Sequence, residues 1–308
     1  MQQEGQVRFL KDKRNSPTCC SFHPKDRYLF VCGGSEGEVV LRSALLGDVL
    51  RTVTLATLSL TRAINALTFT HDGAKVLATA ASRRASIVDV ERGETVLAYD
   101  NCTNPNLGRQ PLVMHPDLPY LAACATVNGR GITLLDLRMP LPLDFIYDLH
   151  EGSISELCFL DGSWPWGAGK AVLMSASESG QAKVSSMDGR PVAAFTTQPP
   201  ITALTASPEP YNKGWKSVVM ASTGEGLVCW GAGEQPWKWI GSEVIHEGGR
   251  RPSVTRMKYT YSGGLLYTAT QGVISRYRRY PEHHQFVGQV FAHSAPVLDL
   301  DISPYDEC

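Results

Sequence analysis

One phrase recurs along this 308-residue chain, and it restricts the fold more than any other feature. A short apolar run leads to a turn, then to a second apolar run that ends in small residues. Another turn and a third strand-like run follow. The phrase opens at residues 18–24, 64–70, 111–117, 154–162, 201–208, 253–264 and 296–304. The spacing is about 43 to 52 residues, the period of a repeat unit of four strands. A unit of that size cannot bury its apolar faces alone, so neighbouring units must stack.

The residues within each copy suit strands. In the second copy Ile64, Ala66 and Thr68 point one way, and Asn65, Leu67 and Phe69 the other. The second runs, at 28–32, 75–81, 120–125, 171–177, 217–222 and 265–270, are dense in apolar and small residues. A strand covered on both faces reads this way. Third runs follow at 38–43, 86–90, 131–137, 182–187, 227–230 and 273–277. The fourth runs, at 49–55, 94–99, 144–149, 191–197, 237–244 and 285–291, are the most polar, as outer edges should be. With 28 glycines and 19 prolines breaking the chain, long helices are not expected. The expected fold is all-β, a seven-bladed β-propeller formed as a single domain over residues 1–308, with its seventh blade incomplete.

Composition narrows the function. The formal net charge is -1, so no global field draws in nucleic acid or an anionic membrane. The eight cysteines include no Cys-x-x-Cys pair, which argues against a zinc ribbon. Most sit in apolar runs as small core residues, and a reducing cytoplasmic or nuclear setting is expected. No apolar signal segment opens the chain, and no stretch has the length of a membrane helix. Gly33-Gly34-Ser35-Glu36-Gly37 lies between two strand runs, whereas a phosphate loop opens a helix. His283 and His284 are adjacent, so on a strand they face opposite ways. No catalytic constellation, metal cluster or cofactor motif emerges, and a non-enzymatic role is expected.

His150 and His293 precede first strands. Phe22-His23-Pro24-Lys25-Asp26 and His71-Asp72-Gly73 stand at the first turn. Val88-Asp89 and Leu135-Asp136 lie in third runs. These motifs resemble the WD-repeat family across nearly the whole chain. Val88-Asp89 and Leu135-Asp136 occupy the place of the family's Trp-Asp pair, with Trp replaced, and Trp230 is the nearest to a true match. No copy carries the family's complete hydrogen-bonding set. The resemblance implies a propeller that serves as a protein-interaction scaffold or recognition subunit. In that family a Trp-Asp-x-Arg ending marks receptors of cullin-type ubiquitin ligases. Leu135-Asp136-Leu137-Arg138 is similar, so Asp136 and Arg138 become candidates for docking a ligase adaptor.

Two other features bear on partners. Tryptophans in Pro/Gly-rich loops (Trp164, Trp166, Trp237 and Trp239) are candidate anchors for a protein partner, or pack down on their own blades. The sixth copy is basic and aromatic, with Arg250, Arg251, Arg256, Lys258, Arg276, Tyr277, Arg278, Arg279 and Tyr280. Arg276, Arg278 and Arg279 are the candidates for binding an anion, RNA or a phosphoinositide. Alternation sets Arg276 and Arg278 on one face, with Tyr277 and Arg279 on the other. Copy seven has one strand run, 297–302, and stops soon after. Residues 5–10, where Val7 and Phe9 alternate with Arg8, are expected to supply a closing strand of that blade. A fragment or shortened isoform of a longer protein is expected on the same ground.

Overall fold

The computed structural model describes residues 16–55, 62–107, 109–197, 200–208, 217–223, 226–231, 254–270, 272–281, 283–292 and 295–305. These form 23 strands and, among the described residues, no helix. The first sheet holds β1 (Pro17–Phe22), β2 (Leu29–Gly34), β3 (Glu38–Ser43) and β4 (Val49–Thr54). The second holds β5 (Ile64–Phe69), β6 (Lys75–Ala80), β7 (Arg84–Asp89) and β8 (Glu94–Tyr99). The third holds β9 (Leu112–Met114), β10 (Leu121–Ala125), β11 (Ile132–Asp136) and β12 (Asp144–Ile146). The fourth holds β13 (Ile154–Leu160), β14 (Val172–Ser177), β15 (Gln181–Ser185) and β16 (Pro191–Thr196). The fifth has three described strands, β17 (Ile201–Ala206), β18 (Val218–Thr223) and β19 (Gly226–Gly231). The sixth holds β20 (Arg256–Tyr259), β21 (Leu265–Ala269), β22 (Val273–Arg279) and β23 (His284–Ala292). Each sheet is an antiparallel meander in chain order.

The sheets stand around a common hub. First strands of successive sheets adjoin one another, from β1 to β5 and onward to β17 and β20. The second strands of the third, fourth and fifth sheets, each with a neighbouring sheet on both sides, are deeply buried: every residue of β10, β14 and β18 is buried. Exposure rises outward, and five of the six residues of β4 are exposed. Apolar side chains fill the junctions. Val31, Val39 and Val76 lie between sheets one and two. Leu77, Ile87 and Leu135 lie between two and three. Leu134, Ile154 and Leu173 lie between three and four. Met174, Leu204 and Trp230 fill the space between four and five, and Met220, Leu266 and Tyr277 that between five and six.

The sequence-based expectation of seven blades is corrected: the propeller has six. A blade needs strands paired in a ladder. The seventh opening yields residues 295–305, which form no strand. Their short run nevertheless has a defined place. Asp299 accepts a hydrogen bond from the Cys20 backbone N–H at 2.9 Å, and Asp301 from that of Phe22 at 2.7 Å. On the other side Asp299 pairs with Arg256 at 2.7 Å, and Asp301 pairs with Lys258. The segment therefore bridges the first and sixth sheets. Residues 5–10 lie outside the described residues.

Turns at the rim lock adjacent blades. In the first sheet His23 Nδ1 accepts from the backbone N–H groups of Lys25 and Asp26. In the third, His115 Nδ1 does the same for Asp117 and Leu118. The His23 ring lies over Gly73 of the second sheet, where a Cβ would come within 2.0 Å of Nε2 and where φ is +78°. Only glycine suits both demands. His71 in turn donates through Nε2 to the His115 carbonyl at 2.8 Å.

Candidate interaction surfaces

The Arg138 corner is built where β11 ends. Arg138 donates to Asp136 from Nε at 2.9 Å and from Nη2 at 2.6 Å, and its backbone N–H adds a third bond at 3.0 Å. The guanidinium lies 3.4 Å from the centroid of the Tyr120 ring. Hydrogen bonds from Arg138 hold the Asp136 carboxyl below the usual carboxylate range. Tyr99 OH donates to the Asp136 carbonyl at 2.9 Å, which ties the corner to the second sheet. The arginine side chain is still 61% exposed, so one face of a pre-oriented fork meets solvent. The chain then runs through Met139, Pro140, Leu141, Pro142 and Leu143. All but Pro142 are exposed, Leu141 to 72%. Tyr147, also exposed, stacks on Phe145 just beyond. A contiguous exposed apolar run beside an oriented arginine has the make-up of a protein-docking patch.

The tryptophans divide. Trp164 and Trp166 are buried, stacked 5.5 Å apart, and join Phe195 and Trp230 in the core between sheets four and five. They form no exposed partner anchor. Trp237 and Trp239 lie outside the described residues.

The basic cluster of the sixth sheet also divides. Arg278 is exposed and Arg276 half-buried on one face. Tyr277 and Arg279 are buried on the other, with Arg279 5.9 Å from the Tyr259 ring centroid. Arg256 is buried at the hub and Lys258 is paired with Asp301. The three candidate arginines, Arg276, Arg278 and Arg279, therefore do not converge on one anion. Arg250 and Arg251 lie outside the described residues. His284 is buried and bonds the Tyr259 hydroxyl at 2.8 Å, whereas His283 is exposed and stacks on Tyr280. Among the described residues no group of three His, Cys, Asp or Glu side chains is placed to hold a metal. No helix among them is long and apolar enough to cross a membrane.

Two features of the hub escape sequence reasoning. The first is a repeated bulge. Pairing slips by one residue in β1, β5, β13 and β17, leaving Thr18, Asn65, Ser155 and Thr202 outside the ladder. Thr18 donates to the Ile64 carbonyl of the next sheet, Asn65 to that of Leu107, and Thr202 to that of Val254 at 2.8 Å. Thr255, just before β20, donates likewise to the Val297 carbonyl at 3.0 Å. The signal that could have found it is a polar residue near the start of five of the six first strands, Thr18, Asn65, Ser155, Thr202 and Thr255. The second is an ion network across the ring. Glu156 of the fourth sheet accepts from Arg109 at 2.8 and 2.7 Å and from Arg256 at 3.0 Å. Arg256 continues to Asp299. Burial raises the Glu156 and Asp299 carboxyls above the usual range, opposed by Arg109. Residues 109, 156, 256 and 299 meet only because the ring closes, so no local pattern announces them.

No family among known protein families and no curated protein matches this chain. Its architecture alone makes it a β-propeller of small antiparallel sheets, an arrangement consistent with a WD-repeat-like propeller.

Proposed function

We propose that this chain is a non-catalytic interaction platform of the WD-repeat type, docking a protein partner through the Arg138 corner of the third sheet. A propeller fold commonly serves as such a scaffold, since a rigid ring lowers the ordering cost of binding while its loops set the partner. The single observation that carries the assignment is the exposed run from Met139 to Leu143 beside a guanidinium already fixed by Asp136 and Tyr120. The most concrete partner is the adaptor of a cullin-type ubiquitin ligase, and the setting is the cytosol or nucleus. Arg138→Ala and Leu141→Asp should each strip the adaptor from a pull-down while leaving the unfolding midpoint nearly unchanged, because both side chains are exposed. An undiminished adaptor yield from both variants would dispose of the ligase assignment.

A further inference from the structure

The described cysteines are free thiols, and among them strand register sets one pair face to face. Cys20 of β1 lies directly opposite Cys32 of β2. The others oppose residues of different kinds: Cys19 opposes Gly33, Cys124 opposes Thr133, Cys158 opposes Met174 and Cys229 opposes Met220. Residues directly opposite in an antiparallel ladder project from the same face of the sheet. The backbone hydrogen bonds fix which kind of pair this is. Each strand residue sends its N–H and C=O to the same side, so opposed pairs alternate between wide and narrow. The Cys20 and Phe22 N–H groups go to Asp299 and Asp301, away from β2. The His23 N–H donates instead to the Leu29 carbonyl of β2. Cys20–Cys32 and Phe22–Phe30 are therefore narrow pairs.

In a narrow pair the Cα atoms lie about 4.5 Å apart, inside the roughly 4.4–6.8 Å that a disulfide spans. The adjoining narrow pair shows the closeness directly, since the Phe22 and Phe30 ring centroids are 5.8 Å apart. Cys20 and Cys32 are both half-buried, whereas Cys19, on the face packed against the second sheet, is buried. We propose that Cys20 and Cys32 are a redox modification site that closes to a reversible cross-strand disulfide and so fastens β1 to β2. The oxidant is a peroxide. One thiol, as its thiolate, attacks a peroxide oxygen; the O–O bond breaks, water leaves with the thiol proton, and a sulfenic acid remains. The facing thiol attacks that sulfur, the S–O bond breaks, a second water leaves and the S–S bond forms. Two electrons pass from the sulfurs to the peroxide. A dithiol reductant returns them, restoring both thiols and itself closing to a disulfide. Burial, with the carboxylates of Asp299 and Asp301, pushes the Cys20 thiol up. The thiolate is the nucleophile, so closure is slow.

The test exposes the folded full chain to hydrogen peroxide, blocks the remaining thiols, and maps linked tryptic peptides by mass spectrometry without reductant. Trypsin leaves Cys32 on residues 28–42 and both Cys19 and Cys20 on residues 15–25, so variants decide the partner. The expected result is a link between those two peptides, with the loss of two hydrogens from their summed mass and full reversal by dithiothreitol. Cys19→Ser should keep the link and Cys20→Ser should lose it. In the unaltered reduced chain, dibromobimane, which fluoresces once it has bridged two nearby thiols, should join the same two peptides. That readout does not depend on any variant folding. No link, a link that survives in Cys20→Ser, a link that forms only after denaturation, or no bimane bridge between these peptides would overturn the proposal.

Discussion

The junction between the fourth and fifth sheets and the junction between the sixth and first are made of opposite materials. In the former, Trp164, Trp166, Phe195 and Trp230 interleave with Met174 and Leu204 in a core of fully and partly buried side chains. Here contact is non-directional and grows with apolar area. In the latter, among the described residues, a segment is held by Asp299 and Asp301 to two backbone amides, Arg256 and Lys258. Directed bonds hold a segment in register without filling the space around it. Buried ion pairs also stabilise less than apolar packing, because desolvation offsets most of the attraction. Among the described residues five joints are packed and one is ionic, and the ring should open first at the ionic joint.

The largest effect should come from the packed side. Trp230, 2% exposed and stacked on Phe195 at 5.0 Å, should cost about 3–5 kcal/mol on Trp230→Ala, measured by chemical denaturation. A cost under about 1 kcal/mol would mean that this core is not the rigid part of the ring. On the ionic side, Arg256→Ala leaves Asp299 and part of Glu156 uncompensated in a buried site. About 3 kcal/mol is expected, and the loss should be accompanied by faster amide exchange in β1 and β20. If the loss were spread evenly over all sheets, the joint would not be a separate weak point.

A pH series sharpens the contrast further. Burial, with a smaller contribution from Lys183, pushes His150 down to about 4, and burial acts alike on His284, also to about 4. A histidine whose folded value lies below its unfolded value near 6.5 binds protons more weakly in the fold. Its contribution is whole above about 6.5 and is lost as pH falls toward 4. His150, packed against Ser175 Oγ at 2.7 Å, should account for about 2 kcal/mol between pH 7 and 5. His150→Gln should remove that share of the acid sensitivity, and an unchanged pH profile would contradict it. Glu156 and Asp299 act in the opposite sense, since their raised values favour the fold as pH falls through that raised range. The smallest effect concerns the hub bulges. Thr202→Val removes one hydrogen bond to the next sheet at about 1 kcal/mol, read from the same denaturation curves.

The strands were legible in the sequence wherever burial was two-sided. Residues 75–81 and 171–177 were expected as second strands and match β6 and β14 closely, because dense apolar runs between turns leave few alternatives. The sheet count was not legible. Residues 296–304 open like every other copy, but an apolar opening does not ensure that ladder partners follow. The alternation that split Arg276 and Arg278 from Tyr277 and Arg279 was also readable, as strand geometry fixes it. Whether Trp164 and Trp166 face a partner or their own core was not, because proline and glycine loops fold either way. The pairing of Arg256 with Glu156, 100 positions apart in the chain, depends on ring closure, which no local window contains.

The most direct measurement is residue-resolved hydrogen–deuterium exchange on the intact chain at neutral pH. The expected result is that β1 and β20 exchange markedly faster than β13 and β17, although all four are first strands at the hub. Equal protection of the four strands would show that the sixth-to-first joint is as firmly packed as the rest, and the contrast drawn between the two junctions would fall.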